Sequence, residues 1–334
     1  MNGLSLSTES GPNGLRATAM ENRHLRVIVL PAVGGRIWQI TYKPLAQDLL
    51  WNNPQLPPAE HAIHTSYDEV WSGGWDELFP NDEAGELFGK SYPDHGELWT
   101  GRWDAESFER ANEVGIHLRF KTPISNFLVE RTLTLRAESR TLEISYLFTN
   151  EGSVRFPFLW KLHPAFSVSV NHRVDFPAMT VVREPEFPGT LGGAPLRFPW
   201  PYSAVEGAWI DLREVLDGSS RALYFFYGTE MAAGWCGVTD RERKLATALS
   251  FDPKVFSSCW MFATYGGWND LNVAVLEPAT GYPYQMQPMI AGGHALWLAP
   301  GESLETTVLF SVQEGLTSVG GVDADGTILP GDAE

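Results

Sequence analysis

Apolar and polar residues alternate with a period of two from about residue 24 to residue 312, and this feature most narrows the folds open to the chain. A strand turns successive side chains to opposite faces, whereas a helix brings them back every 3.6 residues. Val114, Ile116, Leu118 and Phe120 alternate with Gly115, His117 and Arg119, which predicts a strand with one buried face and His117 on the polar one. FLVERTLTLRAES and TLEISYLFTNEG predict an antiparallel pair turning at Glu138-Ser139-Arg140. ALWLAPGESLETTVLFSV repeats the pattern around Pro300-Gly301, with Leu304, Thr306, Val308 and Phe310 on one side of the returning strand. No long amphipathic helix interrupts these runs, so the chain reads as all-β.

At 334 residues, 43% of them hydrophobic, the chain can bury a large core. No linker rich in Ser and Gly divides it, which favours a single β domain over residues 21–316. A flexible segment is expected at 1–20, and a tail poor in groups to bury at 317–334. Two stretches interrupt the periodicity and read as long loops, 52–97 and 182–206. The first, crowded with Trp75, Asp76, Glu77, His95 and Trp99, reads as site-building.

Acidic residues outnumber basic ones by 41 to 24, and the net charge of -17 disfavours phosphate backbones and anionic lipid surfaces. Nucleic-acid and membrane partners are therefore not expected. Cys236 and Cys259 are too few for a disulfide framework and have no zinc-site spacing, which suits a reduced, cytoplasmic chain. No secretory leader or long apolar run is evident. Thirteen Trp residues supply flat faces that can stack on sugar rings, although core packing accounts for most tryptophans in a large β protein. A small-molecule carbohydrate is the expected ligand, and a homodimer is compatible with the sequence.

Four segments place titratable groups beside Gly, Pro or aromatic residues: GGWDELFPND at 73–82, PDHGELW at 93–99, LWKLHPAF at 159–166 and NVAVLEPATGYP at 272–283. His95 falls on a tight turn with Asp94 and Glu97 near enough to influence its pKa. His163 ends an aromatic strand. Glu277 closes the apolar run Val273–Leu276, where a carboxylate is costly unless it has a purpose, and alternation sets it on the face of Val273 and Val275. Imidazole and carboxylate groups in one pocket suit proton transfer at neutral pH. Ring opening of a cyclic aldose needs that service: a proton leaves the anomeric hydroxyl while another reaches the ring oxygen. The reaction requires neither metal nor nicotinamide, and no cofactor is expected.

These motifs, in this order, resemble the aldose 1-epimerase or galactose mutarotase-like superfamily over most of the chain. The likeness begins in HLRVIVLPAVGGRIWQI and DLLWNNP, continues through His95-Gly96, TNEGSVRFPFLWKLHPAF and LEPATG, and closes with LAPGES. It implies a large antiparallel β-sandwich, with Glu277 as base on the anomeric hydroxyl, His163 as acid toward the ring oxygen, and His95 binding and polarising that oxygen. It further implies that Trp75 stacks on the ring, that Asp76 or Glu77 binds hydroxyls, and that Trp268 is a second stacking residue. Lys161 either binds an anionic substituent or pairs with Glu277. Two departures stand out: Glu97-Leu98-Trp99 follow the first His-Gly, where relatives carry an Arg, and Leu162 stands where an Asn often precedes the second His. Galactose or glucose specificity therefore does not follow. A non-catalytic sugar-binding protein of the same fold is the second reading. A metal-dependent hydrolase or lyase using His61, His64 and Asp68 is the third.

Overall fold

The computed structural model describes residues 3–331. Strands dominate, with two short helices, Tyr67–Val70 and Met286–Ala291. Contacts divide the chain into two compact units, Met1–Pro164 with Thr280–Val308, and Ala165–Ala279 with Leu309–Glu334.

In the first unit one antiparallel sheet runs in the order Ser5–Ser10, Arg16–Glu21, Leu25–Leu30, Arg36–Tyr42, Trp75–Leu78, Lys161–Phe166. The second contains Asp104–Arg110, Glu113–Lys121, Phe127–Arg136 and Thr141–Asn150, followed by the strand beginning at Ser303. The pairing of Phe127–Arg136 with Thr141–Asn150 is the one the alternation predicts, and the buried set falls on every second residue. Leu296–Leu298, by contrast, pairs with Phe156–Phe158 rather than folding back on its successor across Pro300-Gly301.

The stretch 52–97, expected as loop, contains a strand in the sheet. Trp75–Leu78 pairs with both Arg36–Tyr42 and Lys161–Phe166. Gly85–Leu87 and Lys90–Tyr92 form a further hairpin. The segment up to residue 20, expected to be flexible, carries Ser5–Ser10 paired with Arg16–Glu21. Small and polar residues hide such strands from pattern reading, because the neighbouring ladder supplies the stabilising hydrogen bonds.

A buried polar network sits in the core of this unit. Glu77 accepts from Arg131 Nη1 at 3.0 Å, Tyr146 OH at 2.7 Å and Trp160 Nε1 at 2.9 Å, and Arg131 also donates to the Gly35 carbonyl. Neither charge reaches solvent, so each is stabilised by the other and its hydrogen bonds, with the Trp103 ring 5.4 Å from the Arg131 guanidinium adding to the support of the cation.

The second unit has one sheet ordered Asn272–Ala279, Ser258–Tyr265, Ala222–Thr229, Thr180–Arg183, Arg197–Pro199, and another built on His172–Asp175, Trp235–Asp240, Leu245–Ser250 and Leu309–Glu314. Arg197–Pro199, within the stretch 182–206 read as a loop, is thus an edge strand. Residues beyond 317, expected as a tail, pair as Val319–Val322 with Ile328–Pro330. Val319 and Ile328 pack against Trp235, Ala246 and Ala248, and the Val319 amide donates to Asp175 Oδ2 at 3.0 Å. That apolar burial fixes a segment whose composition alone predicts little order. Cys236 and Cys259 are buried free thiols of this unit.

Candidate functional site

Sheet register decides which titratable groups meet. Residues directly opposite in an antiparallel pair share a face. His163 lies opposite Asp76, while Leu162 lies opposite Glu77 and Pro164 opposite Trp75. His163, Asp76 and Lys161 therefore occupy one face, and Trp75, Glu77 and Leu162 the other. Trp75 is fully buried and Glu77 belongs to the Arg131 network, so neither can touch a sugar as the resemblance implied. Period two allows only one of Trp75-Asp76-Glu77 to differ from its neighbours in direction, and that one is Asp76.

Asp76 is a positioning group. Its Oδ1 accepts from Arg36 Nε at 2.6 Å and its Oδ2 from Tyr67 OH at 2.8 Å. Arg36 also donates to Ser72 Oγ. Tyr67 has one proton, which goes to the carboxylate, so its oxygen is left to accept from His163 Nδ1 at 3.2 Å. This assigns the Nδ1–H tautomer to His163 and leaves the lone pair on Nε2. Burial lowers the His163 pKa well below the ordinary value, and the Lys161, His95 and Arg36 charges lower it further. His163 is therefore neutral at physiological pH, which disagrees with its implied role as the acid.

His95 has the opposite environment. Burial by itself would lower its pKa, but Asp82 and the hydrogen bond to Asp94 outweigh it and the net shift is upward. Its Nδ1 bonds Asp94 Oδ1 at 2.8 Å, and its Nε2 lies 3.8 Å from Asp82 Oδ1. Asp94 is itself anchored, taking the Tyr67 amide on Oδ2 at 2.8 Å. Glu97, expected to act on His95, turns away and caps the amides of Ile124 and Ser125. Lys161 pairs with Asp82 and is buried, so it is already engaged by a carboxylate of this unit.

Tyr67 links the two imidazoles: it stacks on His95 with centroids 4.2 Å apart and meets His163 edge-on at 5.6 Å. The two imidazole centroids are 6.4 Å apart. Trp71 packs edge-on to His163 and Trp99 edge-on to Tyr67, lowering the local dielectric. Backbone geometry fixes the turn, since His95 has φ 59° and Gly96 φ 77°. A Cβ on Gly96 would stand 2.1 Å from the Phe79 carbonyl oxygen. Gly96→Ala is therefore expected to destabilise the protein by more than the ordinary Gly-to-Ala cost and to displace His95, read as a lowered Tm together with lost His95 protection in NMR titration.

Glu277 lies in the second unit, buried on Asn272–Ala279 opposite Trp260. Trp268 is in the same unit, half-buried, edge-on to Phe262 at 5.5 Å, with its amide donating to Thr264 Oγ1. No group of three or more His, Cys, Asp or Glu among the described residues is placed to hold a metal ion, so His61 and His64 gain no third ligand. Tyr67, Asp82 and Arg36 are site residues that sequence reasoning missed. Arg36 carried a signal, as a cation opening the apolar strand Arg36–Tyr42, whereas Tyr67 sits on a single helical turn with no periodic context.

No protein-family model and no curated protein matches the chain. Solved structures do match. A Klebsiella pneumoniae protein provisionally assigned as an aldose 1-epimerase superposes with TM-score 0.73 at 13% identity, covering 93% of this chain and 84% of its own. A galactose mutarotase-like protein from Clostridium acetobutylicum gives TM-score 0.66 at 12% identity, covering 94% and 100%. The Slr1438 protein of Synechocystis sp. PCC 6803 gives 0.66 at 18%, covering 91% and 98%. The chain has the galactose mutarotase-like fold, as the resemblance implied.

Proposed function

We propose that the protein is a carbohydrate isomerase of the aldose 1-epimerase type, interconverting sugar anomers by acid–base ring opening. The observation that carries this reading is the pair of linked imidazoles with opposed proton preferences, on a fold shared with mutarotase-like proteins. His95, whose pKa the Asp82 charge and the Asp94 hydrogen bond raise against the burial that would lower it, is the donor toward the ring oxygen. His163, neutral with its Nε2 lone pair, is an acceptor suited to the anomeric hydroxyl. Glu277 as base on that hydroxyl rests on the LEPATG resemblance alone. One acid and one base whose environments push their pKa values apart are what reversible proton transfer needs.

The pH profile tests the pairing. His163 must be neutral, so activity is expected to fall on the acid side only well below the ordinary imidazole value of about 6.5. His95 must be protonated, so activity is expected to fall on the alkaline side above that value. The result is a plateau that spans the ordinary imidazole value, measured as anomer exchange against pH. A rate that rises through the alkaline range would remove His95 as the acid. Glu277→Gln divides the two candidate bases: a loss of about 10²-fold or more assigns the base to Glu277, and a near-wild-type rate assigns it to His163. The sugar-binding reading without turnover is favoured by the missing Arg after Gly96, and it predicts binding with no acceleration.

A further inference from the structure

Arg36 stands in one cross-strand row with His163. Ile37 lies opposite Trp75, which sets Arg36 opposite Asp76, and Asp76 in turn lies opposite His163. Residues in such a row share one face of the sheet, so the guanidinium, the carboxylate and the imidazole all belong to the face of the candidate site. We infer that Arg36 binds substrate and sets specificity, donating from Nη2 to the C2 hydroxyl of the sugar, so that the substrates are neutral aldoses with an oxygen at C2. The inference rests on the reading of His95 and His163 as the proton-transfer pair of a sugar site.

The free end of the guanidinium carries the argument. Arginine holds five N–H groups in a rigid fork. Nε donates to Asp76 Oδ1 at 2.6 Å and Nη1 donates to Ser72 Oγ, and these two anchors fix the plane of the fork. Nη2 has no hydrogen-bond partner among the described residues. Arg131 Nε is also without a partner, but it is enclosed, and Arg36 Nη2 is not: the Arg36 side chain is 3% exposed, and that opening includes Nη2. A charged donor that is anchored, otherwise buried and still reachable is placed to take an oxygen acceptor from a ligand.

Position selects the acceptor. In the proposed reaction His163 faces the anomeric hydroxyl and His95 the ring oxygen. His95 lies on the Lys161 side of His163, because Asp82 approaches its Nε2 and pairs with Lys161. Arg36 lies on the Asp76 side. After burial, the Arg36 charge is what lowers the His61 pKa, and it acts on His163 behind burial and the Lys161 and His95 charges. In a pyranose the ring oxygen and C2 are the two ring neighbours of the anomeric carbon, so the donor across His163 from His95 meets the C2 hydroxyl. Asp76 already neutralises Arg36, so Nη2 suits an uncharged hydroxyl and gives a uronic or phosphorylated ring no added hold.

The test is an NMR titration of the full chain with D-glucose, D-galactose and the 2-deoxy and 6-deoxy derivatives of each, on wild type and Arg36→Lys. Wild type should bind at least one parent aldose about tenfold or more tighter than its 2-deoxy derivative, the worth of a hydrogen bond to a charged donor. Arg36→Lys keeps a charge beside Asp76 but loses the fork, so it should bring parent and 2-deoxy sugar to equal affinity while the ratio of parent to 6-deoxy sugar stays as in wild type. A merely structural arginine would weaken all ligands alike, and unchanged ratios overturn the inference. So does a wild type indifferent to the C2 oxygen. Should Arg36→Lys not fold, the guanidinium ¹⁵N resonances of Arg36 in wild type take its place: a shift with the parent sugar that the 2-deoxy derivative does not reproduce supports the contact, and identical shifts overturn it. Anomer exchange on the same samples separates the inference from the reading beneath it. An Arg36-dependent preference without acceleration keeps the contact and removes the isomerase, acceleration without the preference does the reverse, and no binding across the panel overturns both.

Discussion

His95→Asn is expected to slow anomer exchange by about 10²- to 10⁴-fold, the range that a positioned proton donor contributes. Asparagine is the informative replacement because position 95 has φ 59°, a left-handed backbone that Asn tolerates better than other polar residues. The fold is thus preserved while the imidazolium is lost. The alkaline limb of the pH profile, assigned to His95, should vanish in the residual activity. Rate measured by polarimetry and folding checked by circular dichroism separate loss of chemistry from loss of structure. A modest rate loss with the alkaline limb intact would show that another group carries the proton.

The second large effect is on stability. Arg131→Met is expected to cost about 3–5 kcal/mol, because it leaves the Glu77 carboxylate buried without its counter-charge. Adding Glu77→Gln should restore part of that loss, since it removes the uncompensated charge; Tyr146 and Trp160 donate to different carboxylate oxygens, so the single amide oxygen keeps only one of those two bonds. Urea denaturation of the single and double variants gives both numbers. If Arg131→Met costs under about 1 kcal/mol, the pair is not the energetic anchor described. The outcome also separates core from site: Glu77, taken from the sequence as a hydroxyl ligand, should prove to matter through folding.

Much of the fold was legible where strands are long and half-buried. Thr141–Asn150 alternates buried and partly exposed residues without a break, and its sequence says so. Short strands lack that redundancy. Trp75–Leu78 is buried at all four positions, so no alternation marks it, and its place in the sheet comes from partners 38 residues before it and 83 to 89 residues after it. The same cause limits the site. His95 and His163 stood out as titratable groups beside turns and aromatics, but their opposed protonation depends on Tyr67, Asp82, Asp94 and Lys161. Only tertiary structure gathers these. On a strand at 75–78, period two alone separates Asp76 from Trp75 and Glu77.

The most direct test of the central claim follows freshly dissolved α-aldoses by one-dimensional NMR, with wild type, His95→Asn and Glu277→Gln, covering neutral, deoxy and uronic monosaccharides and reducing disaccharides. The account predicts faster approach to anomeric equilibrium with wild type, a near-background rate with His95→Asn, and no rate advantage for uronic sugars. Demonstrable sugar binding with no acceleration by wild type would contradict it and leave a binding protein.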